Sequence, residues 1–353
     1  MRFLVIKVHY IGDVVMITPA LRRLKRAFPD AQVDILIGSW SGQVVYHNPN
    51  ISRIFSVDDR IFSWKNPWNL FRVARLFLKF RVEHYDGVLM FHARKRVRLF
   101  GFGLSAPVAF SYHPSRNDSH RYSLWDPRKH GVRIAVDLVD AFCRGCGVEP
   151  PSRDEDRDYR AEWFVTEEES AKADEVLASV GVHEPPIVVH PNAGVPGRVK
   201  GGEKRWLPER FADLIQELRH QQLGPVLLEG AGFEEPLAQE IQALLPEPVG
   251  SIVGMTNLRE LAAVLSKSRL LITNDTGTMH VGGAVGVPMV AIFGPTPSDK
   301  FLPLGGPFRA VQSRVPCSPC NYGGFKGCLY NEIECMKEIS VSRVMDEVLH
   351  LIG

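Results

Sequence analysis

Short β-rich runs separated by helical patterns of about ten residues or more recur along the chain, and this alternation limits the fold more than any other feature. The runs are Phe3 to Val8, Val33 to Ile37, Gly87 to Phe91, Ile187 to His190, Val226 to Leu228, Leu270 to Thr273 and Met289 to Phe293. Strands joined through helices build parallel sheets by right-handed crossovers. At 353 residues the chain is too long for one ordinary core. The expected fold is therefore α/β twice over, as two doubly wound Rossmann-like halves. The polar, proline-bearing segment from Glu149 to Asp158 marks the boundary, giving a first domain over 1–158 and a second over 159–353. A helix that opens on Glu167, Glu168 and Glu169 follows it, as the helix dipole favours.

Composition excludes several classes. Hydrophobic residues make up 45% and charged residues 23%, which suits a soluble globular protein. A net charge of +2 is too small for a nucleic-acid binder that works by phosphate neutralisation. Arg2 and Lys7 interrupt the apolar start with no small-residue cleavage site after it, and no run approaches the roughly 18 apolar residues of a membrane span. A cytoplasmic location is expected. Cys143 and Cys146 fall in a predicted helix, while Cys317, Cys320, Cys328 and Cys335 crowd together. The four have the count of a thiolate zinc site without the spacing of a standard finger, so structural zinc and reduced buried thiols both remain open.

Ligands of doubly wound sheets bind outside the carboxyl ends of the strands, so the chemistry is sought in the loops that follow them. The most informative is Asn274-Asp275-Thr276-Gly277-Thr278-Met279-His280, between an apolar strand and a small-residue helix. It brings a carboxylate, hydroxyls and free backbone N–H groups to one point, as a phosphorylated, hydroxyl-rich ligand requires. The loop from Pro191 to Trp206 is glycine-rich and carries Arg198, Lys200, Lys204 and Arg205. It reads as a cationic cover for a pyrophosphate with Lys204 as the contact, or as a solvated basic loop. After the run Val226 to Leu228, the segment Glu229 to Glu235 offers a glutamate as a ribose partner, or Glu234 or Glu235 as a cap of the next helix. In the first half, Gly12 lets Asp13 turn towards a ligand, although a loop aspartate bonded to backbone donors has the same signature. Thr18 is expected to cap the next helix, with Pro19 at its first position.

Two further clusters are basic. His92, Arg94, Lys95, Arg96 and Arg98 follow the strand ending at Phe91, and with Arg121 they suit phosphates and carboxylates of an acidic acceptor. Between Phe62 and Arg81, Trp64, Trp68, Phe71, Phe77 and Phe80 alternate with Arg72, Arg75 and Lys79. That segment is either a helix for an anionic membrane surface or phosphorylated lipid, or an amphipathic helix whose rings fill the core.

Ile11-Gly12-Asp13 with Pro19-Ala20-Leu21, Lys204-Arg205-Trp206 with Pro208, the run Asn274 to His280 and Phe293-Gly294-Pro295-Thr296 together resemble glycosyltransferase family 9, the bacterial heptosyltransferases of lipopolysaccharide core synthesis. The resemblance covers nearly the whole chain. It implies a GT-B fold, two Rossmann-like domains facing across a cleft, the first for the acceptor and the second for ADP-heptose. It implies Asp13 as general base, Lys204 as diphosphate ligand, Asp275 as partner of sugar hydroxyls, and Thr276, Gly277 and Thr278 along the phosphates, with His280 also matching the pattern. Where some relatives carry a ribose-binding glutamate this chain has Gly232, which leaves Glu234 or Glu229 for that contact. The adenine is expected near Met255 and Thr256. The implied activity is inverting, metal-independent heptosyl transfer to a lipopolysaccharide or lipid A precursor at the inner membrane face. Alternatives are a relative with another nucleotide sugar or acceptor, a GT-B sugar-nucleotide epimerase, and a noncatalytic nucleotide-sugar-binding protein.

Overall fold

The computed structural model describes residues 1–58, 60–63, 67–113, 121–126, 128–154, 158–193, 202–321, 328, 330 and 332–353. Trp64, Arg198, Lys200 and residues 155–157 of the expected boundary lie outside them. The chain separates into two compact units, Met1–Glu162 and Trp163–Gly353.

The first unit contains β1 (Arg2–Lys7), α1 (Ile11–Val15), α2 (Thr18–Ala27), β2 (Gln32–Gly38), β3 (Arg53–Val57), α3 (Trp68–Arg81), β4 (Gly87–Met90), α4 (Lys95–Gly103), β5 (Val108–His113), β6 (Tyr122–Leu124) and α5 (Gly131–Gly145). The second contains α6 (Glu167–Ser179), β7 (Ile187–His190), α7 (Pro208–His220), β8 (Val226–Leu228), α8 (Glu235–Leu244), β9 (Gly250–Ser251), α9 (Leu258–Ser266), β10 (Leu270–Asn274), α10 (Gly277–Val285), β11 (Met289–Phe293), α11 (Ser298–Phe301), β12 (Phe308–Gln312), α12 (Glu334–Lys337) and α13 (Val341–Ile352). The sheet orders are β3-β2-β1-β4-β5-β6 and β12-β11-β10-β7-β8-β9. Every strand pairing is parallel. Counted within its own unit, each sheet has the doubly wound order 3-2-1-4-5-6. The order reverses between β1 and β4 in one unit and between β7 and β10 in the other, and the crevice at such a reversal is where these folds bind ligands.

The central strands are apolar throughout because both faces are covered: β10 and β11 are fully buried and β1 nearly so. Five strands escaped the sequence reading, namely β3, β5, β6, β9 and β12. Each lies at or next to a sheet edge; β6 and β9 have only three and two residues, and β3, β5 and β12 carry part-exposed positions that break an apolar run. Thr18 is not the N-cap of α2. α1 runs almost directly into α2, so Ile17 holds the cap position in a helical conformation. The Thr18 hydroxyl instead donates to the Val15 carbonyl at 2.8 Å and accepts from the Glu162 N–H at 2.9 Å. The expected boundary segment is fastened to the first unit by buried Arg23, which reaches Asp140 and the Pro151 carbonyl, each at 2.5 Å. The glutamate-rich start of α6 is a capping box between Thr166 and Glu169.

α10 lies close on its sheet because Gly282 has no side chain. A Cβ there would stand 2.5 Å from Leu271 Cδ2 and 3.3 Å from Met289 Cε. Gly282→Val is therefore expected to overpack this layer and cost about 1–3 kcal/mol, read as a lowered urea midpoint. An unchanged midpoint would mean that α10 has room to move.

Candidate donor and acceptor sites

Both candidate sites form where the sheet orders reverse. In the second unit β10 ends in Asn274, whose side-chain amide donates to the carbonyls of Pro191 at 2.8 Å and Asn192 at 3.2 Å. Its oxygen accepts the Trp206 N–H at 3.1 Å. Trp206 is fully buried, packs edge-on against Phe211 and donates its indole N–H to Ile339 at 3.0 Å. These bonds fix the segment just before α7 and place Lys204 Nζ 2.5 Å from Asp275 Oδ2. The Asp275 side chain is 6% exposed and that of Lys204 30%, so the ammonium keeps access to solvent over a buried carboxylate.

Burial works to raise the Asp275 pKa, but the Lys204 charge and hydrogen bond, aided by Thr296 and His280, outweigh it and hold the carboxyl below its ordinary 3.8. Directly after it, Thr276 caps α10, its hydroxyl accepting from Met279 N–H at 3.4 Å, and Gly277 and Thr278 form the first turn. The carboxylate, the ammonium and the amide end of a nine-residue helix thus converge. His280 is buried one turn in.

Asn192 extends the site, donating from its side-chain amide to Glu234, whose other oxygen accepts from Ala231 N–H at 2.7 Å. Glu234 therefore caps its own turn and also faces the Asn192 loop. Glu229 is buried and bonded to His190 Nδ1 at 2.7 Å. Burial opposes protonation of His190, yet Glu229 overrides it and raises the imidazole above 6.5. Both glutamates are thus engaged within the unit, Glu229 with His190 and Glu234 with Asn192 and its own turn. Gly254 N–H donates to Gly230 O at 2.8 Å, which brings half-buried Thr256 and exposed Met255 beside the Glu234 turn. Sequence reasoning missed Lys300, a buried cation of α11 whose ammonium lies 5.0 Å from the Phe301 ring, with Lys204 6.0 Å from the same ring. Its only signal is its place after the loop that follows β11.

In the first unit Asp13 stands in the first turn of α1, directly after β1. His9 Nδ1 lies 2.6 Å from one of its oxygens and Lys7 Nζ 3.5 Å from the other. Arg94 Nη2 approaches His9 Nε2 at 3.4 Å. A guanidinium only donates, so this contact requires an unprotonated Nε2, and the His9 proton then sits on Nδ1 and points at Asp13. Lys7 and His9 escaped attention as partners of Asp13, although the i,i+4 spacing at a helix start was readable. His92 does not belong with the basic cluster. It is buried and accepts the Val8 N–H at 2.8 Å, and burial, reinforced by Lys7, His9 and Arg94, lowers its pKa well below 6.5. Arg94 is the arginine that reaches His9, the partner of Asp13. Arg96 donates to the Phe62 carbonyl at 2.9 Å, Arg98 lies over Tyr122 and Arg121 over Phe102.

Cys317, Cys320, Cys328 and Cys335 line one cavity of about 430 Å³ with Glu203 and Pro295, neighbours of Lys204 and Thr296. Burial and the surrounding thiols push Cys335 up to about 11 and raise Cys320, so both are protonated at neutral pH. Among the described residues no group of three or more His, Cys, Asp or Glu side chains is arranged to hold a metal ion.

The lowered Asp275 pKa fixes the sign of a pH effect. Its contribution to stability is complete above the unfolded value near 3.9 and is lost as pH falls through the depressed folded value. Lys204→Ala removes the depressing charge and leaves a buried carboxylate without its cation. Urea unfolding at neutral pH should show a loss of about 1–3 kcal/mol, and because burial then holds the carboxyl above its unfolded value, the deficit relative to the parent should shrink as falling pH protonates it. Coincident profiles would show that the pair does not stabilise the fold.

The model of the family described as glycosyltransferase family 9 (heptosyltransferase) matches residues 73–324, from α3 to beyond β12. Lipooligosaccharide heptosyltransferase 2 of Campylobacter jejuni is 24% identical over 357 residues, which cover 97% of this chain and 96% of that protein. The solved glycosyl transferase family 9 structure from Veillonella parvula superposes with a TM-score of 0.79 at 23% identity over 99% of this chain and 97% of its own. The Escherichia coli ADP-heptose lps heptosyltransferase II superposes at 0.74 and 19% identity over 100% and 98%. With two sheets of doubly wound order, these likenesses give the GT-B fold. The chain belongs to glycosyltransferase family 9, the heptosyltransferase family, and is a transferase.

Proposed function

We propose that the protein transfers heptose from ADP-heptose to an inner-core lipopolysaccharide or lipid A precursor, with inversion, at the inner face of the cytoplasmic membrane. The observation that carries this reading is the Lys204–Asp275 pair at the amide end of α10. The Campylobacter and Escherichia coli relatives named above support the choice of sugar and acceptor.

Departure of a nucleoside diphosphate from an anomeric carbon passes through an oxocarbenium-like state, with negative charge growing on the phosphate. Lys204 and the N–H groups of Gly277 and Thr278 are proposed to meet that charge, and Thr276 to line it. Fixed donors of this kind are worth about 3–4 kcal/mol each. A divalent ion is not invoked, because these groups supply the positive field. Asp275 then binds sugar hydroxyls, Glu234 the ribose and Thr256 the region of the base.

Asp13 is proposed to take the proton of the acceptor hydroxyl, with His9 holding the second carboxylate oxygen in place. Arg94, Arg96, Arg98 and Arg121 are proposed for the acceptor's phosphates, Arg94 nearest the base. Asp13→Ala should lower transfer by about 10²–10⁴-fold while leaving the ADP-heptose dissociation constant nearly unchanged, since general-base contributions fall in that range. Lys204→Ala should instead weaken ADP binding by about tenfold or more, the worth of a charge-assisted hydrogen bond. Loss of donor binding in Asp13→Ala would remove the base assignment. Donor turnover without acceptor would mark an epimerase.

A further inference from the structure

α3 has two apolar faces. On one, Phe80 is buried and Val73, Leu76 and Phe77 pack against the first unit's core. Asn69, also buried, donates to the carbonyls of Arg60 at 2.9 Å and Ser63 at 2.8 Å and fixes the start of the helix. At 100° per residue, Phe71, Ala74, Leu78 and the cap residue Val82 fall on the opposite face. All four are exposed, Phe71 to 68%, Leu78 to 64% and Val82 to 72%. Trp68, 71% exposed, lies at the helix start. Single exposed apolar side chains need no explanation, but a stripe along three turns does.

The flank of the stripe is cationic. Arg72, Arg75 and Lys79 are exposed on it, and no Asp or Glu occurs between Ile61 and Val82. Neither Arg72 nor Arg75 is bonded to another side chain among the described residues, so both are free to reach outwards. Lys79 lies 4.7 Å from the Phe55 ring. We propose that α3 is an in-plane membrane anchor whose Phe71–Leu78–Val82 stripe enters the headgroup boundary of an anionic phospholipid bilayer while Arg72 and Arg75 bind its headgroups.

Charge selects this occupant. A second copy of the chain docked through the same face would oppose arginine to arginine, because a two-fold interface pairs a patch with itself. A nucleic acid would satisfy the arginines and leave the rings in water. An anionic bilayer satisfies both, and in-plane helices with apolar rings and a basic flank bind such surfaces. The inference stands apart from the transfer reaction, since it needs neither donor nor glycolipid acceptor.

The test is flotation of the full chain with vesicles of phosphatidylcholine alone or mixed with phosphatidylglycerol, free of lipopolysaccharide. The wild type should float with the mixed vesicles, less so as salt is raised, and only weakly with phosphatidylcholine. Arg72→Gln with Arg75→Gln should weaken binding by about 25-fold, roughly fivefold for each basic residue near an anionic surface. Phe71→Ser with Leu78→Ser should abolish flotation at an unchanged thermal midpoint, because both side chains are exposed. Quenching of Trp68 by brominated lipid, lost in Trp68→Phe, would support insertion. Failure of the wild type to float, or variants that float equally well, would overturn the proposal. So would a dimer in sedimentation equilibrium that Phe71→Ser with Leu78→Ser dissociates, since the stripe would then be a self-association face.

Discussion

The contact between the Lys204 ammonium and the buried Asp275 carboxylate organises the second unit's site. A carboxylate this enclosed at the end of a strand requires compensation, and the arrangement supplies it from a part-exposed side chain with spare N–H donors. The same ammonium that stabilises Asp275 is the one proposed above to meet the donor phosphate. Its position follows from apolar packing, because Trp206, two residues on, is locked in the core and tied to Asn274. Asn274 also bonds the segment after β7, so one strand end sets three parts of the site. Behind them, the cysteine-bearing segment bonds the turn after β11, where Cys320 and Asn321 donate to the Pro295 carbonyl at 2.9 and 2.8 Å.

A parallel logic holds in the first unit. Its reversal point lies between β1 and β4, and the residues that matter come from the loops after these strands. Asp13 and His9 follow β1, while His92 and Arg94 follow β4. The charges there are graded by depth. His92 is buried and neutral beneath the backbone, Lys7 and His9 bracket the carboxylate, and Arg94 stands outermost against His9. An aspartate held by two donors has a fixed orientation, which is what a proton acceptor needs when the reacting hydroxyl must be met at one angle. Among the described residues, the non-glycine positions with positive φ are His47, His84, Ser105 and Gln222, none of them in either site. The doubly wound order and two helix starts suffice.

How much of this was readable beforehand depended on whether the physics was local. The central strands were legible because two-sided burial leaves uninterrupted apolar runs, and Ile187–His190, Val226–Leu228 and Met289–Phe293 match their predicted bounds. Edge strands such as β6 and β9 carry no such run, since solvent relaxes the requirement. The Asn274 to Thr278 turn was legible as strand end, cap and helix start, but its ion pair with Lys204 spans 71 positions and left no periodic trace. Thr18 misled because a hydroxyl before proline signals a cap only when extended chain precedes it, and here α1 does. The aromatic stretch of α3 was ambiguous between core and surface because it is both: Phe80 faces inwards and Phe71 outwards on one helix. Spacing assigns residues to faces, and only the packed neighbours decide which face meets the core.

The central claim is that a base in the first unit and a phosphate-binding cation in the second serve a single displacement at an anomeric carbon. Its most direct test is the product formed from anomerically defined ADP-heptose and a heptose-deficient core acceptor, analysed by mass spectrometry and by NMR at the new linkage. The account predicts an acceptor heavier by one heptose residue, joined with the anomeric configuration opposite to that of the donor. A retained configuration, or ADP release with no glycosylated acceptor, would contradict it.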